Sequence, residues 1–573
     1  MSAGVRRFTG ILNMMNSAYR SAFMALLLVS TAAAATPTPR NPKPFTIDKD
    51  EPTISPLDVQ VDNSGASGPT FNTVHGHATS VISSFEGTSD FDTRSLGIGL
   101  IPPDTMGAVG RSQYVELING SFSVYSKATG ALVQPRITDS SFWRAAGGTS
   151  TGGDPRIMFD KRANRWLATG FGAPNSQLQI AVSETADATG PWHAAAFTGY
   201  AGFGFGAIAD YQTLAVSGNS ILIATNNFAP STANGPNYFR GTTLNVLNKN
   251  LIFAAGGPTG FVKQLQTPFD HVTDNGYAIQ GVNRSGGGST ANVVAASIYQ
   301  SDNVAYTVNG AGTPGATQNA SAYLGGTSFN SPLDARQPTT NGSARVASAL
   351  DERISSSAHE VHGKIYFVQT VQALGTDHNV VRVTVYDKAT KTVLSQTDIG
   401  GGPSNAFDYF QGSLAVNSAG QVVVGYNRSG DVSTGINGRI SIFARSFNTN
   451  ADGTLSSTSG EILIKQSLVS DYHNGSPEGF DPVNRQRWGD YSTVTVDPND
   501  KSRFWVIGQF AREYNNAAGG HPGGSGFGRW GTFVAQIGVG AVPEPQSWAL
   551  MIVGFGLVGG TLRRKRTLET VTA

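Results

Sequence analysis

Short runs of β-branched and aromatic residues alternate with polar turn segments along most of the chain. The runs SILIATNN, KIYFVQTV, QVVVGYN and RFWVIGQF begin at residues 220, 364, 421 and 503. Runs of this length and composition predict strands that are buried on both faces. A second type of run alternates apolar and polar residues, as in VRVTVYDKATKTVLSQ from residue 381, and predicts two paired strands joined by a DKATK turn. No long amphipathic helix is predicted between residues 92 and 540.

These runs belong to a unit that recurs along the chain. An Asp opens each unit and is followed by a strand, a turn, a second strand and often a third. The seven aspartates are Asp104, Asp154, Asp210, Asp270, Asp351, Asp408 and Asp490, at intervals of 50 to 82 residues. Repeats of about this length, each built from a few short strands, are typical of a β-propeller. The sequence therefore predicts an all-β fold, a β-propeller of seven blades, each a four-stranded antiparallel sheet.

The segments outside the repeats predict an exported protein. Arg20 precedes the apolar run SAFMALLLVSTAAAA, whose last residues offer a small-residue cleavage site, as in a secretory signal peptide. An N-terminal membrane anchor is the alternative. The predicted divisions are a signal peptide at 1–35, a linker or lead-in at 36–92, the propeller at 93–540, a C-terminal segment at 541–566 that contains a transmembrane helix at 548–562, and a cytoplasmic tail at 567–573.

Composition narrows the function classes. Charged residues make up 14% of the chain, against about 25% in an ordinary soluble domain, and there are 70 glycines. The chain has no cysteine, which excludes disulfides, thiol nucleophiles and cysteine-based zinc sites. Without the three arginines of residues 1–35 and the four bases and one acid of residues 546–573, there remain 33 bases and 38 acids, a net charge of −5. This acidic body gives no reason to expect nucleic-acid binding.

The seven aspartates are the candidate binding residues. At the starts of the innermost strands they would form an acidic ring at one mouth of the central channel, able to hold a cation such as calcium or the hydroxyls of a sugar. The alternative is a local role, in which each Asp accepts backbone N–H groups in the turn that enters its strand. The sequence names no particular metal and indicates no cofactor.

Enzymatic motifs are scarce. The stretches GDPRIMFDKRANRW and RWGDYSTVTVDPNDKSRFWVIGQF resemble parts of exported bacterial propellers of the sialidase-like type. That resemblance implies an Asp-box, a tyrosine nucleophile and three arginines, but no segment matches the Asp-box. A glycosidase needs only two carboxylates across a sugar, and Glu360, Glu478 and Asp481 are the candidates. The arginines near strand starts are Arg156, Arg353, Arg439 and Arg487. The pair His359 and His362 is expected to face solvent beside a strand.

The C-terminal segment has three ordered parts. Residues 542–545 read Val-Pro-Glu-Pro, residues 548–562 carry no charge, and residues 563–566 are basic. An apolar run of 15 residues is shorter than the roughly 20 needed to span a bilayer comfortably, and the bases would hold its end in the cytoplasm. The residues that carry this pattern are Val542, Pro543, Glu544, Pro545, Arg563, Arg564, Lys565 and Arg566.

This order of parts resembles the PEP-CTERM sorting signal, also called an ice-binding protein C-terminal domain, which does not itself imply ice binding. The resemblance implies that an exosortase, a membrane protease, cuts near Pro545 and sends the protein to the outside. Such proteins occur in Gram-negative bacteria that make exopolysaccharide or biofilm matrix. The seven residues TLETVTA after the bases depart from the usual pattern.

Together these features predict a surface- or matrix-associated propeller that passes through an inner-membrane intermediate. Its expected role is a non-enzymatic scaffold or binding module for extracellular polysaccharide, with exosortase as a processing partner and the inner membrane as a transient one. The alternative is a glycan-active hydrolase or lyase of sialidase-like architecture, a glycoside hydrolase if it is an enzyme. Carboxylates that converge with Arg or Tyr in one channel mouth would favour the enzyme. A mouth lined by backbone-capped Asp would favour binding alone.

Overall fold

The structure is a computed structural model of one chain. It describes residues 79–149, 153–172, 177–199, 208–229, 239–259, 262–269, 272–339, 342–401, 406–470, 472, 486–519 and 528–540, together with two short strands before them. These residues belong to one compact unit, Pro44–Ala573. The predicted signal peptide and the C-terminal segment at 541–573 lie outside the described residues.

The first elements lead into the repeats. The strands are β1 (Thr53–Ile54), β2 (Thr70–Phe71), β3 (Ser80–Ser89) and β4 (Leu100–Ile101), and helix α1 (Asp90–Ser95) lies between the last two. Ser89 caps α1, because its hydroxyl accepts the N–H of Asp92 while the Asp92 carboxylate accepts the N–H of Ser89. Residues 80–89 belong to a sheet of the propeller, although the sequence analysis placed them in the lead-in.

The next two sheets are simple antiparallel meanders. The first has the strands β5 (Gly107–Val109), β6 (Gln113–Ile118) and β7 (Ser121–Ser126). Helix α2 (Asp139–Ala145) follows, with the hydroxyl of Thr138 as its N-cap. The second sheet has the strands β8 (Arg156–Asp160), β9 (Arg165–Phe171), β10 (Gln177–Ser183) and β11 (Trp192–Thr198).

The middle of the chain forms two larger groups of strands. A five-stranded sheet contains β12 (Ile208–Asp210), β13 (Ala215–Ser217), β14 (Ser220–Phe228), β15 (Phe239–Asn248) and β16 (Val262–Pro268), with the short helix α3 (Lys249–Ile252) after β15. The next strands are β17 (Tyr277–Asn283), β18 (Thr290–Ala296), β19 (Asn303–Asn309), β20 (Thr317–Gln318) and β21 (Ala322–Tyr323). A separate hairpin follows, of β22 (Ala335–Thr339) and β23 (Gly342–Ala347).

Two further groups of strands precede the last sheet. Strands β24 (Ala358–Val361), β25 (Lys364–Gln372), β26 (Asn379–Asp387) and β27 (Val393–Ile399) pair in order. A five-stranded sheet then contains β28 (Phe407–Val416), β29 (Gln421–Gly430), β30 (Ser441–Thr449), β31 (Leu455–Ser457) and β32 (Ile462–Lys465). A 3-10 helix (Val432–Gly438) lies between β29 and β30, and another (Ala517–Gly519) comes later in the chain.

The last sheet joins the two ends of the propeller. Strands β33 (Thr493–Val496), β34 (Arg503–Tyr514) and β35 (Gly528–Gly538) pair with one another, and β3 pairs with β35. The order is β2-β3-β35-β34-β33, so an early strand completes the sheet that the late strands begin. This pairing closes the ring of sheets.

Each predicted strand with two apolar faces contributes to two cores. In β14, Ile221 and Ile223 pack with the preceding sheet, in a cluster that includes Leu178 and Ile180. The alternate residues, Leu222 among them, pack with the following sheet against Ile279 and Val293. Because side chains alternate across a strand, one run of apolar residues serves both neighbours. The buried strands predicted from the sequence at 220, 364, 421 and 503 are confirmed.

The all-β propeller is confirmed, but the prediction of seven four-stranded blades is wrong. The unit that opens at Asp104 forms a sheet of only three strands. The units that open at Asp270 and Asp351 share one nine-stranded sheet, because β17 pairs in parallel with β24. Five sheets have four or more strands, and these are the five blades of the structure. The sequence repeats indicate how many units the chain has, but hydrogen bonding between strands decides which units share a sheet.

Candidate functional site

Of the predicted aspartates that the structure describes, five lie within three residues of the start of a strand, and all but Asp351 are buried. Asp104, Asp154, Asp408 and Asp490 are each at most 1% exposed, and Asp210 is 4% exposed. The side chain of Asp351 is 27% exposed. Asp270 lies outside the described residues. Among the described aspartates of the predicted ring, only Asp351 therefore presents a carboxylate to a ligand from solvent.

A hydrogen-bonded chain links three of these aspartates. The Oδ1 atom of Asp104 accepts the N–H of Asp490 at 2.8 Å, and its Oδ2 atom accepts the side-chain amide of Asn119 at 2.8 Å. The Oδ1 atom of Asn119 accepts the N–H of Asp154 at 2.8 Å. Asp104 and Asp154 have φ angles of 49° and 52°, which Asp tolerates better than most residues. These contacts join units from the beginning and the end of the propeller.

Two other aspartates also accept main-chain groups. Asp408 accepts the N–H groups of Arg336 and Asn379, both at 3.0 Å, and Asp210 accepts the N–H of Tyr211 at 2.8 Å. A carboxylate satisfied in this way shapes the turn that enters a strand. The contact of Asp210 with Tyr211 is the local role that the sequence analysis gave as the alternative to a binding ring, whereas Arg336 and Asn379 lie 72 and 29 residues from Asp408.

Asp351 accepts the main-chain N–H of Arg353 at 3.0 Å and also pairs with the side chain of that arginine. Its Oδ1 atom accepts the Nε–H of Arg353 at 2.7 Å and its Oδ2 atom accepts Nη2–H at 2.9 Å, which is a bidentate ion pair. The hydroxyl of Tyr277 also bonds to Asp351, and burial, together with the nearby carboxylates of Asp351 and Glu352, raises the pKa of Tyr277 well above its usual value.

Two arginines and two tyrosines fill the space beside these carboxylates. The Cζ atom of Arg156 lies 3.4 Å from the ring centroid of Tyr491, and the Cζ atom of Arg353 lies 4.1 Å from that of Tyr211. The two ring centroids are 4.9 Å apart. The hydroxyl of Tyr491 donates to Oδ2 of Asp154 at 3.1 Å. All four side chains are buried, so they form a cation–π core that stiffens the mouth.

The sequence contains a signal for this convergence that the sequence analysis did not use. Arg156 and Arg353 each follow a repeat Asp by two residues, and Tyr211 and Tyr491 each follow one directly. Residues at the same place in different units come together around the axis of a propeller. Repeated Asp-x-Arg and Asp-Tyr pairs therefore predict arginines beside tyrosines at one mouth. Arg439, another of the candidate arginines, instead donates to the carbonyl of Leu468 at 2.6 Å.

A small recess lies at this mouth. Its cavity volume is about 10 Å³, room for about one water molecule. Asp351, Arg353 and Asp490 line it together with Ser348, Ser355, Thr370 and Gln411. Arg487 donates to Oδ2 of Asp490 at 3.0 Å. The recess therefore brings together two carboxylates, each paired with an arginine, and several neutral polar side chains.

One lining residue has an unsatisfied acceptor. The Nε2 atom of Gln411 donates to the carbonyls of Gly489 and Tyr491, at 2.8 and 3.1 Å. Its Oε1 atom is buried and has no hydrogen-bond partner among the described residues. A buried acceptor costs free energy unless it is paired, so a donor beside this oxygen would be favourable. A water molecule or a hydroxyl group would supply one.

Neither a metal centre nor a membrane helix is found in the part of the chain that the structure describes. No three His, Asp or Glu side chains are grouped there in a way that could hold a metal ion. The ring as a ligand-binding site stays a prediction. None of the described helices is both long enough and apolar enough to cross a bilayer. The predicted helix at 548–562 and the sorting residues from Val542 to Arg566 lie outside the described residues.

Of the remaining candidate carboxylates from the sequence, Glu360 is described and does not line the recess. Glu360 is bound by Lys388 and by Asn292, on β24 far along from the strand starts. Glu478 and Asp481 lie outside the described residues, in a segment that ends just before Gln486. Of the proposed glycosidase carboxylates, none is therefore placed in the recess by the structure.

These sheets and this mouth define the chain as an all-β propeller with a polar recess where its innermost strands begin. No family model matches the sequence, and no curated protein matches it. The assignment of the chain to the all-β propellers therefore rests on its own sheets.

Three of the solved structures that are similar to the chain have low sequence identity to it. A protein of unknown function from Dyadobacter fermentans is 16% identical, with 66% of this chain and 93% of that one covered and a TM-score of 0.35. A sialidase of Trypanosoma rangeli is 12% identical, with 69% and 55% covered and a TM-score of 0.31. An α-L-arabinofuranosidase of Fusarium graminearum is 10% identical, with 75% and 92% covered and a TM-score of 0.30.

Proposed function

We propose that the chain is a glycan-active β-propeller that binds a saccharide at the mouth containing Asp351 and, as an enzyme, hydrolyses a glycosidic bond there. The observation that carries this proposal is the recess itself. It combines the partly exposed carboxylate of Asp351 with the unpaired acceptor of Gln411. Sugar hydroxyls both donate and accept hydrogen bonds, so one saccharide could satisfy both groups.

The other lining residues support a polar ligand of this kind. Ser348, Ser355 and Thr370 add hydroxyl groups, and Arg353 and Arg487 hold the two carboxylates in place. Binding sites gain specificity from a few fixed polar groups, and the bidentate pair on Asp351 fixes its orientation. In the described conformation the recess holds about one water, so a saccharide must bind at its outer edge or open it.

The charges also suggest a division of roles in hydrolysis. A glycosidase uses one ionised carboxylate and one protonated carboxylic acid. Asp351 and Asp490 are each held by an arginine, so we assign both to the role of nucleophile or base and neither to the role of acid. The general acid must therefore come from a different residue. Glu478 and Asp481 stay the proposed candidates for it.

A second candidate function is binding without catalysis, as a scaffold in extracellular polysaccharide. The contacts of Asp104, Asp210 and Asp408 favour it, because each accepts main-chain N–H groups and none is exposed. These contacts make the mouth rigid. The two candidates differ in one respect only, whether a bound glycan is cleaved.

The test is to screen the intact protein for glycan binding on an array and for hydrolysis of aryl glycosides and polysaccharides. Hydrolysis that is lost in Asp351→Asn supports the enzyme. Binding without hydrolysis, weakened by the same substitution, supports the binding module. Binding and hydrolysis that both persist unchanged in Asp351→Asn would contradict the proposed site.

We further propose that the protein is exported by a signal peptide and sorted by an exosortase in a Gram-negative cell. The support is the order of Val-Pro-Glu-Pro, apolar run and basic cluster in residues 542–566. In this proposal the inner membrane holds the chain only until it is cut near Pro545. Mass spectrometry of protein collected from the cell surface or medium should show a chain that ends near Pro545. A mature chain that retains Arg563–Arg566 would contradict it.

A further inference from the structure

A second and larger cavity lies at the opposite end of the innermost strands. Its volume is about 870 Å³, within the range of ligand pockets, which is about 300–1,000 Å³. The ends of β5, β8, β13, β17, β24, β28 and β33 line it, together with the turns that follow some of them. We call this cavity the funnel. It shares no lining residue with the Asp351 recess.

The wall of the funnel is largely apolar. Val216 and Val361 contribute partly exposed aliphatic side chains from two different strands, and Phe159 adds a partly exposed aromatic ring from a third. Apolar surface in a concave site is stabilised when a ligand removes it from water. The wall therefore favours a ligand with an apolar body over one that is polar on all sides.

The rim of the funnel is positively charged. Lys161, Arg162, Lys249 and Arg284 line it, against two acids, Asp160 and Glu360. Both acids already have cationic partners, since Asp160 pairs with Lys249 and Glu360 pairs with Lys388. This excess of cations occurs in a chain whose body is acidic overall, so it is a local feature of the rim.

Two of these cations are free to bind a ligand. Lys161 and Arg162 are exposed, and neither forms an ion pair or a side-chain hydrogen bond with any described residue. They lie in the turn between β8 and β9, after the strand that carries Ile157. Arg284 is less free, because it donates to the carbonyls of Gly287 and Thr290 at 2.9 and 3.1 Å.

The wall also contains a buried polar atom without a partner. His359, on β24, is half-buried, and its Nε2 atom is buried and makes no hydrogen bond with the described residues. Burial lowers the pKa of His359 to about 4, so the ring is neutral at physiological pH. The expectation that His359 faces solvent is wrong, because β24 turns its side chain into the funnel wall, whereas His362 is exposed as expected.

We propose that the funnel is a binding site for an amphiphilic anion, a carboxylate, sulfate or phosphate carried on an apolar body. The anionic group would lie between Lys161 and Arg162 at the rim, and the apolar body would lie against the aliphatic wall. The site is independent of the glycan site proposed above, since it occupies the other end of the central channel.

The test is calorimetric titration of the full chain with decanoate, below the concentration at which decanoate forms micelles. Decanol serves as an uncharged ligand of the same length, and trigalacturonate serves as an anion without an apolar body. We expect decanoate to bind at one site, at least tenfold more tightly than either of the other two. Added salt should weaken the binding, because the rim is exposed.

The matched variants are Lys161→Ala/Arg162→Ala and, as the control, Lys501→Ala. Lys501 is also an exposed cation in a turn between strands, but it does not line the funnel. We expect the affinity for decanoate to fall at least tenfold in the double variant and to stay within twofold of the parent protein in the control. Because the replaced side chains of the double variant form no hydrogen bond or ion pair with described residues, its thermal unfolding should be unchanged.

Three results would overturn the proposal. The first is that decanoate does not bind. The second is that decanoate binds equally well to the double variant, and the third is that trigalacturonate binds more tightly than decanoate. The last result would assign the funnel to an acidic saccharide instead.

Discussion

The Oδ1 atom of Asp104 accepts the main-chain N–H of Asp490 at 2.8 Å, across 386 residues of sequence. The first residue belongs to the turn before β5 and the second to the turn before β33, so this bond joins the first unit of the propeller to the last. Strand β3 makes the same connection by pairing with β35. The ring is therefore closed twice, once by a strand and once at the mouth.

Replacing Asp104 should loosen this closure. In Asp104→Ala the N–H of Asp490 and the amide of Asn119 lose their acceptor, and a buried unpaired donor costs about 1–3 kcal/mol. Alanine also adopts the φ of 49° less readily. We expect urea unfolding, followed by tryptophan fluorescence, to show a loss of about 3 kcal/mol.

Asp104→Asn is the matched control for that change. Asparagine tolerates a positive φ and keeps one oxygen that can accept the N–H of Asp490. Its loss of stability should be smaller than that of Asp104→Ala. An alanine variant as stable as the parent protein would show that the contact at the mouth contributes nothing to closure.

Glu116 makes a second connection between the same parts of the chain. Its carboxylate on β6 accepts the hydroxyl of Thr88 at 2.6 Å, the N–H of Thr88 at 3.1 Å and the hydroxyl of Tyr125 at 2.9 Å, and Thr532 on β35 also donates to it. Glu116→Ala leaves these donors buried without an acceptor, so we expect a loss of about 3 kcal/mol or more in urea unfolding.

Glu184→Ala is the control for Glu116, since the Glu184 side chain is 47% exposed and pairs only with His193 among the described residues. An exposed pair of this kind contributes about 0–1 kcal/mol. Equal losses in the two variants would contradict the role of Glu116 as a buried link between β6, β3 and β35.

Asp139 should make stability depend on pH in an unusual direction. Burial at the start of α2 raises its pKa from 3.8 to about 6, although N–H groups such as that of Ser140 oppose the shift. Between pH 3.8 and 6 the folded chain holds a proton at this site that the unfolded chain releases. The contribution of Asp139 is therefore fully present below pH 3.8 and is lost as pH rises to 6.

The measurement is the difference in unfolding free energy between the parent protein and Asp139→Asn, taken at several pH values. Asparagine does not titrate, so all other titrating groups cancel. We expect the parent to lose roughly 3 kcal/mol relative to the variant from pH 3.8 to pH 6, as two pKa units imply. A difference that stays constant over this range would show that Asp139 is ionised in the folded protein.

Local patterns in the sequence predicted most of the strands. β14 and β29 are runs of β-branched residues, and each is buried on both faces. The predicted turn DKATK is also confirmed, since Asp387 accepts the N–H groups of Ala389 and Thr390 at 2.9 and 2.8 Å. These features depend on residues close in sequence, where periodicity and turn chemistry decide the structure.

Contacts between distant residues could not be predicted in the same way. β3 reads SVISSFEGTS, which is too rich in Ser to stand out as a buried strand, and its place beside β35 depends on ring closure. The merger of two units through β17 and β24 is likewise invisible to a repeat count. At the mouth, the sequence did not predict that Asp351 alone among the described aspartates of the ring is partly exposed.

The most direct test of the proposed function compares Asp351→Asn with Asp210→Asn in glycan binding and hydrolysis by the intact protein. Asp210 occupies the equivalent place in another unit, but it is buried and accepts the N–H of Tyr211. We expect Asp351→Asn to lower hydrolysis at least a hundredfold, or glycan affinity at least tenfold if the protein only binds, while Asp210→Asn retains both. Equal effects of the two substitutions, or none from Asp351→Asn, would contradict a glycan site at this mouth.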